Sequence, residues 1–98
     1  YIDVLTRAYN RRFYEERGKK LKDIRSVAMF DCDDFKNIND NYGHAVGDVF
    51  LHHIAASILN CVTDEEVLIR YGGDEFILLS REKDEEVLKN TLQICKIK

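Results

Sequence analysis

Between Val46 and Val62 the apolar positions fall at helical spacing: Val46, Phe50, Ile54, Ile58 and Val62 form one line, joined by Leu51, Ala55 and Leu59. That periodicity lasts more than three turns and predicts the longest helix of the chain. Two compact apolar stretches read differently. Ser26-Val27-Ala28-Met29-Phe30 stops at the acidic cluster Asp31-Cys32-Asp33-Asp34 and predicts a central strand with carboxylates at its C-terminal end. Val67-Leu68-Ile69 and Phe76-Ile77-Leu78-Leu79 flank Arg70-Tyr71-Gly72-Gly73-Asp74-Glu75, which predicts a β-hairpin presenting Asp74 and Glu75 at its tip. Thr6 and Asn10 are both plausible N-caps, with Asn10 opening a short helix through Arg17 that ends at Gly18. Asp84 is expected to cap a final amphipathic helix with Val87, Leu88, Leu92 and Cys95 on its apolar side.

The order helix, strand, long helix, hairpin, helix predicts an α+β fold, an α/β-like sandwich with a mixed central sheet and flanking helices. Its 98 residues, 45% hydrophobic and 34% charged with no proline, fit one globular domain or part of one. The net charge of −3 argues against a surface built for duplex nucleic acid, although a local site need not share the sign of the whole. Cys32, Cys61 and Cys95 are odd in number and widely spaced, so they read as buried thiols of a reducing compartment. With no apolar run of membrane-spanning length and no signal-peptide pattern, the expected location is cytoplasmic, without direct membrane contact.

Ligands of such sheets collect at the carboxyl ends of strands, where Asp31 to Asp34 are placed. If the hairpin tip lies alongside, Asp31 and Asp74 converge. Carboxylates brought together repel unless a hard cation such as Mg²⁺ sits between them, and Mg²⁺ completes its shell with water and substrate phosphates. Gly72 and Gly73 would let a phosphate approach the backbone closely. Each residue has a plainer reading too. The aspartates could end the strand through Asx turns, Lys36 could be a solvated lysine rather than a phosphate contact, and Asn39 and Asp48 could be caps flanking the glycine-containing link 41–47. The alternative for that last pair is an amide and a carboxylate reading a purine edge. The register 31–42 lacks the ligands of a calcium loop, the histidines lack zinc spacing, and neither a nucleoside-triphosphate P-loop nor a nucleophile elbow is present.

These residues resemble the GGDEF domains of bacterial diguanylate cyclases. The likeness is carried by Asp3-Val4-Leu5-Thr6, Tyr9-Asn10-Arg11-Arg12, Phe30-Asp31-Cys32-Asp33-Asp34-Phe35-Lys36, Asn39-Asp40, Gly43-His44, Gly47-Asp48 and the signature Gly72-Gly73-Asp74-Glu75-Phe76. It implies a fold similar to adenylate cyclase catalytic domains and polymerase palms. It also implies a nucleotidyltransferase that condenses two GTP into cyclic di-GMP with release of pyrophosphate. Asp31, the Cys32 carbonyl and Asp74 would then bind Mg²⁺ or Mn²⁺. Asn39 and Asp48 would hold guanine, and Lys36 with the backbone around Phe35 the phosphates, beside Gly72 and Gly73. Glu75, with Asp74, would serve catalysis by activating or positioning the attacking 3′-hydroxyl. A homodimer in the catalytic arrangement and an N-terminal sensory domain are further implications, the latter allowing for the cytoplasmic part of a membrane-bound sensor.

Two departures stand out. An Arg-x-x-Asp feedback site is frequent in the family, and here those positions read Thr63-Asp64-Glu65-Glu66, so no product inhibition is expected there. The family also continues beyond the helix expected at Val87 to Cys95, which makes residues 1–98 a domain with its C-terminal portion missing and leaves open an inactive isolated fragment. The alternative function is a non-catalytic module that binds GTP or cyclic di-GMP for regulation or dimerisation.

Overall fold

The computed structural model describes residues 1–32 and 35–81. In chain order the elements are α1 (Arg11–Glu16), a 3₁₀ turn (Gly18–Lys20), β1 (Ser26–Asp31), α2 (Phe35–Tyr42), α3 (His44–Cys61), β2 (Glu66–Arg70) and β3 (Glu75–Ser80). This is the expected α+β architecture, built on an antiparallel sheet in the order β1-β3-β2. Among the described residues β3 is therefore the middle strand, which corrects the central position expected for β1. The reason lies in the patterning: β3 runs buried from Phe76 to Ser80, whereas β1 alternates, exposing Val27 and Met29.

The two faces of the sheet are covered by different elements. On one, Phe76, Leu78 and Leu68 pack with Leu51, Ala55 and Ile58 of α3. On the other, Ile69, Ile77 and Leu79 meet Phe13 and Tyr14 of α1 with Leu21 and Ile24. The deepest line of α3 is Gly47-Leu51-Ala55-Ile58, one residue round from the Val46-Phe50-Ile54 line read in the sequence, and Val46 is exposed. Asn10 caps α1 as expected, its side chain accepting from the Phe13 N–H at 2.9 Å. Thr6 caps no helix. Its hydroxyl donates to Asp3 Oδ2 at 2.6 Å, closing the turn whose end, Tyr9, bridges to Ile69 and so covers the outer edge of β2.

α2 is an element the sequence reading did not separate from its surroundings. It ends at Gly43, whose φ of 90° lies in the left-handed region, and α3 starts on the next residue, so the expected link at 41–47 shrinks to one glycine. Cys61, at the end of α3, is disulfide-bonded, which corrects the expectation of thiols throughout. Bridging depends on separation in space, which sequence spacing does not report, and a reducing compartment tends to open such a bond. The expected helix from Asp84 lies outside the described residues. No helix among the described residues is long and apolar enough to cross a membrane.

Candidate functional site

The sheet's register brings the signature to the acidic strand end. β1 and β3 pair antiparallel from Ser26–Ser80 to Asp31–Glu75, so the last residue of β1 stands directly opposite the first residue of β3. One residue further, the Cys32 N–H donates to the Asp74 carbonyl at 3.0 Å, which ties the start of the α2 approach to the hairpin turn. The Cys32 carbonyl in turn accepts from the Phe35 N–H at 3.2 Å. Asp31, Cys32, Asp74 and Glu75 are thus gathered at one end of the sheet. Asp33 and Asp34 lie outside the described residues.

Glu75 belongs to the strand rather than to the tip: its carbonyl accepts from the N–H groups of Tyr71 (2.8 Å) and Gly72 (3.3 Å), closing the turn behind it. Neither signature glycine adopts the left-handed region; among the described glycines that is Gly43 alone. What distinguishes Gly73 is room, since a Cβ built there meets nothing described within 4 Å. Beside this end an open cavity of about 240 Å³ is lined by Met29, Asp31, Tyr71, Glu75 and Ile77 with Phe30 and Phe76.

A clamp that the sequence reading did not assign holds the turn. Arg70 donates through Nε and Nη2 to the Gly73 carbonyl (3.1 and 2.8 Å), through Nε to that of Gly72 (3.3 Å), and through Nη1 to Asp3 Oδ2 at 3.2 Å. Burial by itself would raise the Asp3 pKa, but the hydrogen bonds from Thr6 and Arg70 outweigh it and hold the carboxyl below its ordinary value. The signal available in sequence was the Asp3-x-x-Thr6 spacing of a local side-chain turn; its partner 67 residues away carried none.

The helical hairpin of α2 and α3 carries the other candidates. Lys36 is exposed in the first turn of α2, and Phe35 packs against the core. Asn39 and Asp48 come from different helices, and Asn39 lies against Gly47, the neighbour of Asp48. Asn39 Oδ1 is buried with no hydrogen-bond partner among the described residues. Such an orphan acceptor costs about 1–3 kcal/mol unless something supplies a donor. His52 is accounted for structurally, its Nδ1 lying 2.8 Å from the Leu5 carbonyl.

No group of three His, Cys, Asp or Glu side chains able to hold a metal is found among the described residues. The residues that the backbone pairing brings to this sheet end, Asp31, Cys32 and Asp74, carry carboxylate and carbonyl oxygens, the hard donor type that Mg²⁺ takes together with water and phosphate.

Comparison with known proteins agrees with this arrangement. The family model "Diguanylate cyclase, GGDEF domain" matches residues 1–98. Diguanylate cyclase DgcZ of Escherichia coli is 35% identical over 102 residues, covering 98% of this chain and 34% of that protein. Diguanylate cyclase A of Treponema denticola is 48% identical over 62 residues, 63% of this chain and 16% of its own length. This chain thus spans a minor part of the curated relatives it matches. Among solved structures, the GGDEF domain of TpbB (YfiN) from Pseudomonas aeruginosa superposes with a TM-score of 0.82 at 31% identity, covering 97% of this chain and 60% of that one. With the motifs, the register and the whole-chain match in agreement, the chain belongs to the GGDEF family of diguanylate cyclase domains.

Proposed function

We propose that this chain is the nucleotide-binding part of a diguanylate cyclase, which condenses two GTP into cyclic di-GMP and two pyrophosphates in bacterial second-messenger signalling. The observation that carries the reading is the Asp31–Glu75 pairing with Asp74 tied to Cys32, because it collects the signature acids at one sheet end without a protein nucleophile. Phosphoryl transfer asks for in-line positioning and charge neutralisation more than for covalent chemistry by the protein.

In this reading Asn39 and Asp48 hold guanine; Asn39 Oδ1 is an acceptor waiting for an N–H donor, and guanine offers its N1–H and 2-amino groups. Lys36 and the backbone at Phe35 contact phosphates, and the open space above Gly73 admits them close to the turn. Asp31, Asp74 and the Cys32 carbonyl would hold Mg²⁺, which when bound supplies charge neutralisation on the triphosphate. Glu75 orients the 3′-hydroxyl and accepts its proton as that oxygen attacks the α-phosphorus of the facing GTP and the bond to pyrophosphate breaks. GTP is the substrate, a second copy of the domain faces the first, an N-terminal sensory domain governs their encounter, and the reaction runs on the cytoplasmic side.

The test is chromatographic detection of cyclic di-GMP after incubating this chain, and a version extended to the full domain length, with GTP and Mg²⁺. Product from the extended protein and none from its Asp74→Asn variant is the expected result. GTP binding without product from the extended protein would replace the cyclase by a regulatory nucleotide-binding module.

A further inference from the structure

Gly47 sits in the first turns of α3, a position where alanine is intrinsically the better helix former. Its φ is an ordinary one, so no backbone conformation demands glycine there. The demand comes from across the helical hairpin. A Cβ built on Gly47 would overlap Asn39 Oδ1 outright, and would stand 2.9 Å from Asn39 Cγ and 3.3 Å from Phe35 Cε1. The amide of Asn39 therefore occupies the volume that a side chain at 47 would fill. That same amide oxygen is buried without a hydrogen-bond partner among the described residues, an unusual state for a polar atom and one that a ligand's N–H donor would relieve.

We infer that Gly47 is a positioning residue for base recognition, its missing side chain being the seat that holds the Asn39 amide beside Asp48; the inference rests on the assignment of Asn39 to guanine. Gly47 itself touches no ligand. It acts by leaving Asn39 one place to be, inside the α2–α3 hairpin and on the same turn from which Asp48 projects, so that amide and carboxylate present a fixed pair of groups to one purine edge. A methyl group at 47 would expel the amide toward solvent, where an asparagine is well tolerated, while improving the helix. Folding and recognition are thus expected to respond in opposite senses.

The experiment is titration of the extended domain with GTP, ITP and ATP in the presence of Mg²⁺, for the unmodified protein, Gly47→Ala, Asn39→Ala and the double variant, with thermal melting of each. ITP lacks the 2-amino group, so the GTP-to-ITP affinity ratio reports base reading rather than triphosphate binding. Gly47→Ala is expected to melt no lower than the unmodified protein, to bind GTP about tenfold more weakly, the order of one lost hydrogen bond, and to lower the GTP-to-ITP ratio to that of Asn39→Ala. On the Asn39→Ala background Gly47→Ala should then change neither. A Gly47→Ala variant that keeps the unmodified ratio, or one that loses as much affinity with Asn39 absent as with it present, overturns the inference while leaving the guanine assignment standing. Equal affinity of the unmodified protein for GTP and ATP would overturn the guanine assignment and the inference with it. Should Gly47→Ala fail to fold, the double variant decides: folding restored by removing the Asn39 amide supports the seat, and no restoration assigns the clash to Phe35 and overturns it.

Discussion

Asp3 and Arg70 carry the coupling between the first turn of the chain and the signature. Arg70 spends its fork on the carbonyls of Gly72 and Gly73 and on the Asp3 carboxylate, so the turn that presents Asp74 is fixed by a charge held in place by Thr6. Because the Asp3 pKa is lowered in the folded state, its ionised form stabilises the fold fully above the unfolded carboxylate value of about 3.9. That contribution disappears as pH falls from there through the lowered folded value. Urea unfolding midpoints should therefore drop for the unmodified protein as pH falls below about 4, whereas Asp3→Asn should start lower at neutral pH and lose this component of the slope. Identical pH profiles for the two proteins would remove the clamp from the account. Half of this device was visible in sequence, since Asp3 and Thr6 are three residues apart; the half that matters for the site was not, because nothing local marks Arg70 as the partner.

At the level of elements, periodicity located α3 and the hairpin, and its series already held Leu51, Ala55 and Ile58, but it did not rank which of its apolar positions lie deepest. Val46 and Phe50 are as apolar as their neighbours, yet Gly47, Leu51, Ala55 and Ile58 are the buried positions, Phe50 packs only partly buried against the core and Val46 is exposed; glycine carries no hydrophobic signal. Leu51 is fully buried, so Leu51→Ala should cost about 2–5 kcal/mol by chemical denaturation. Val46 is 46% exposed, and Val46→Ala should stay within about 0.5 kcal/mol. Comparable losses at both positions would contradict this ranking of burial along α3. α2 escaped notice for a related reason: Phe35 and Ile38 are too few to show a period beside so many polar residues. The turn before β2 is better explained by structure than by sequence. Glu66 Oε1 accepts from the Thr63 N–H and hydroxyl, both at 3.1 Å, and its Oε2 accepts from the Ser80 hydroxyl at 3.1 Å. With its carboxylate satisfied internally and threonine where a guanidinium would stand, this turn is not expected to bind product. Calorimetric titration with cyclic di-GMP should give the same result for the unmodified protein and Glu66→Gln, and tight binding lost in that variant would contradict it.

For the whole molecule, the register explains why the chemistry gathers where it does. Antiparallel pairing of β1 with β3 delivers the C-terminal end of one and the N-terminal end of the other to the same end of the sheet, so the ladder itself sets Asp31 opposite Glu75. The two apolar runs and the glycine turn gave the strands and the hairpin, and convergence only if the hairpin lay beside β1; what did not follow was that pairing, nor which strand lies in the middle among the described residues, since both runs are apolar and only β3 is buried from Phe76 to Ser80. In the proposed reading, one such sheet end with one Asn39–Asp48 pair on its helical hairpin takes one guanine. Cyclic di-GMP contains two, each 3′-oxygen joined to the other nucleotide's phosphorus, so in the proposed reaction the attacking hydroxyl and the phosphorus it attacks are held by different copies of the domain. The productive species is then a dimer formed head to head. If copies meet only for catalysis, the initial rate of cyclic di-GMP formation by the extended domain should rise with the square of its concentration at high dilution, and turnover per molecule should fall in proportion as the protein is diluted. Turnover per molecule that stays constant across a hundredfold dilution, well below the concentration at which sedimentation shows a monomer, would mean that a single copy supplies both halves of the reaction and would refute the facing arrangement.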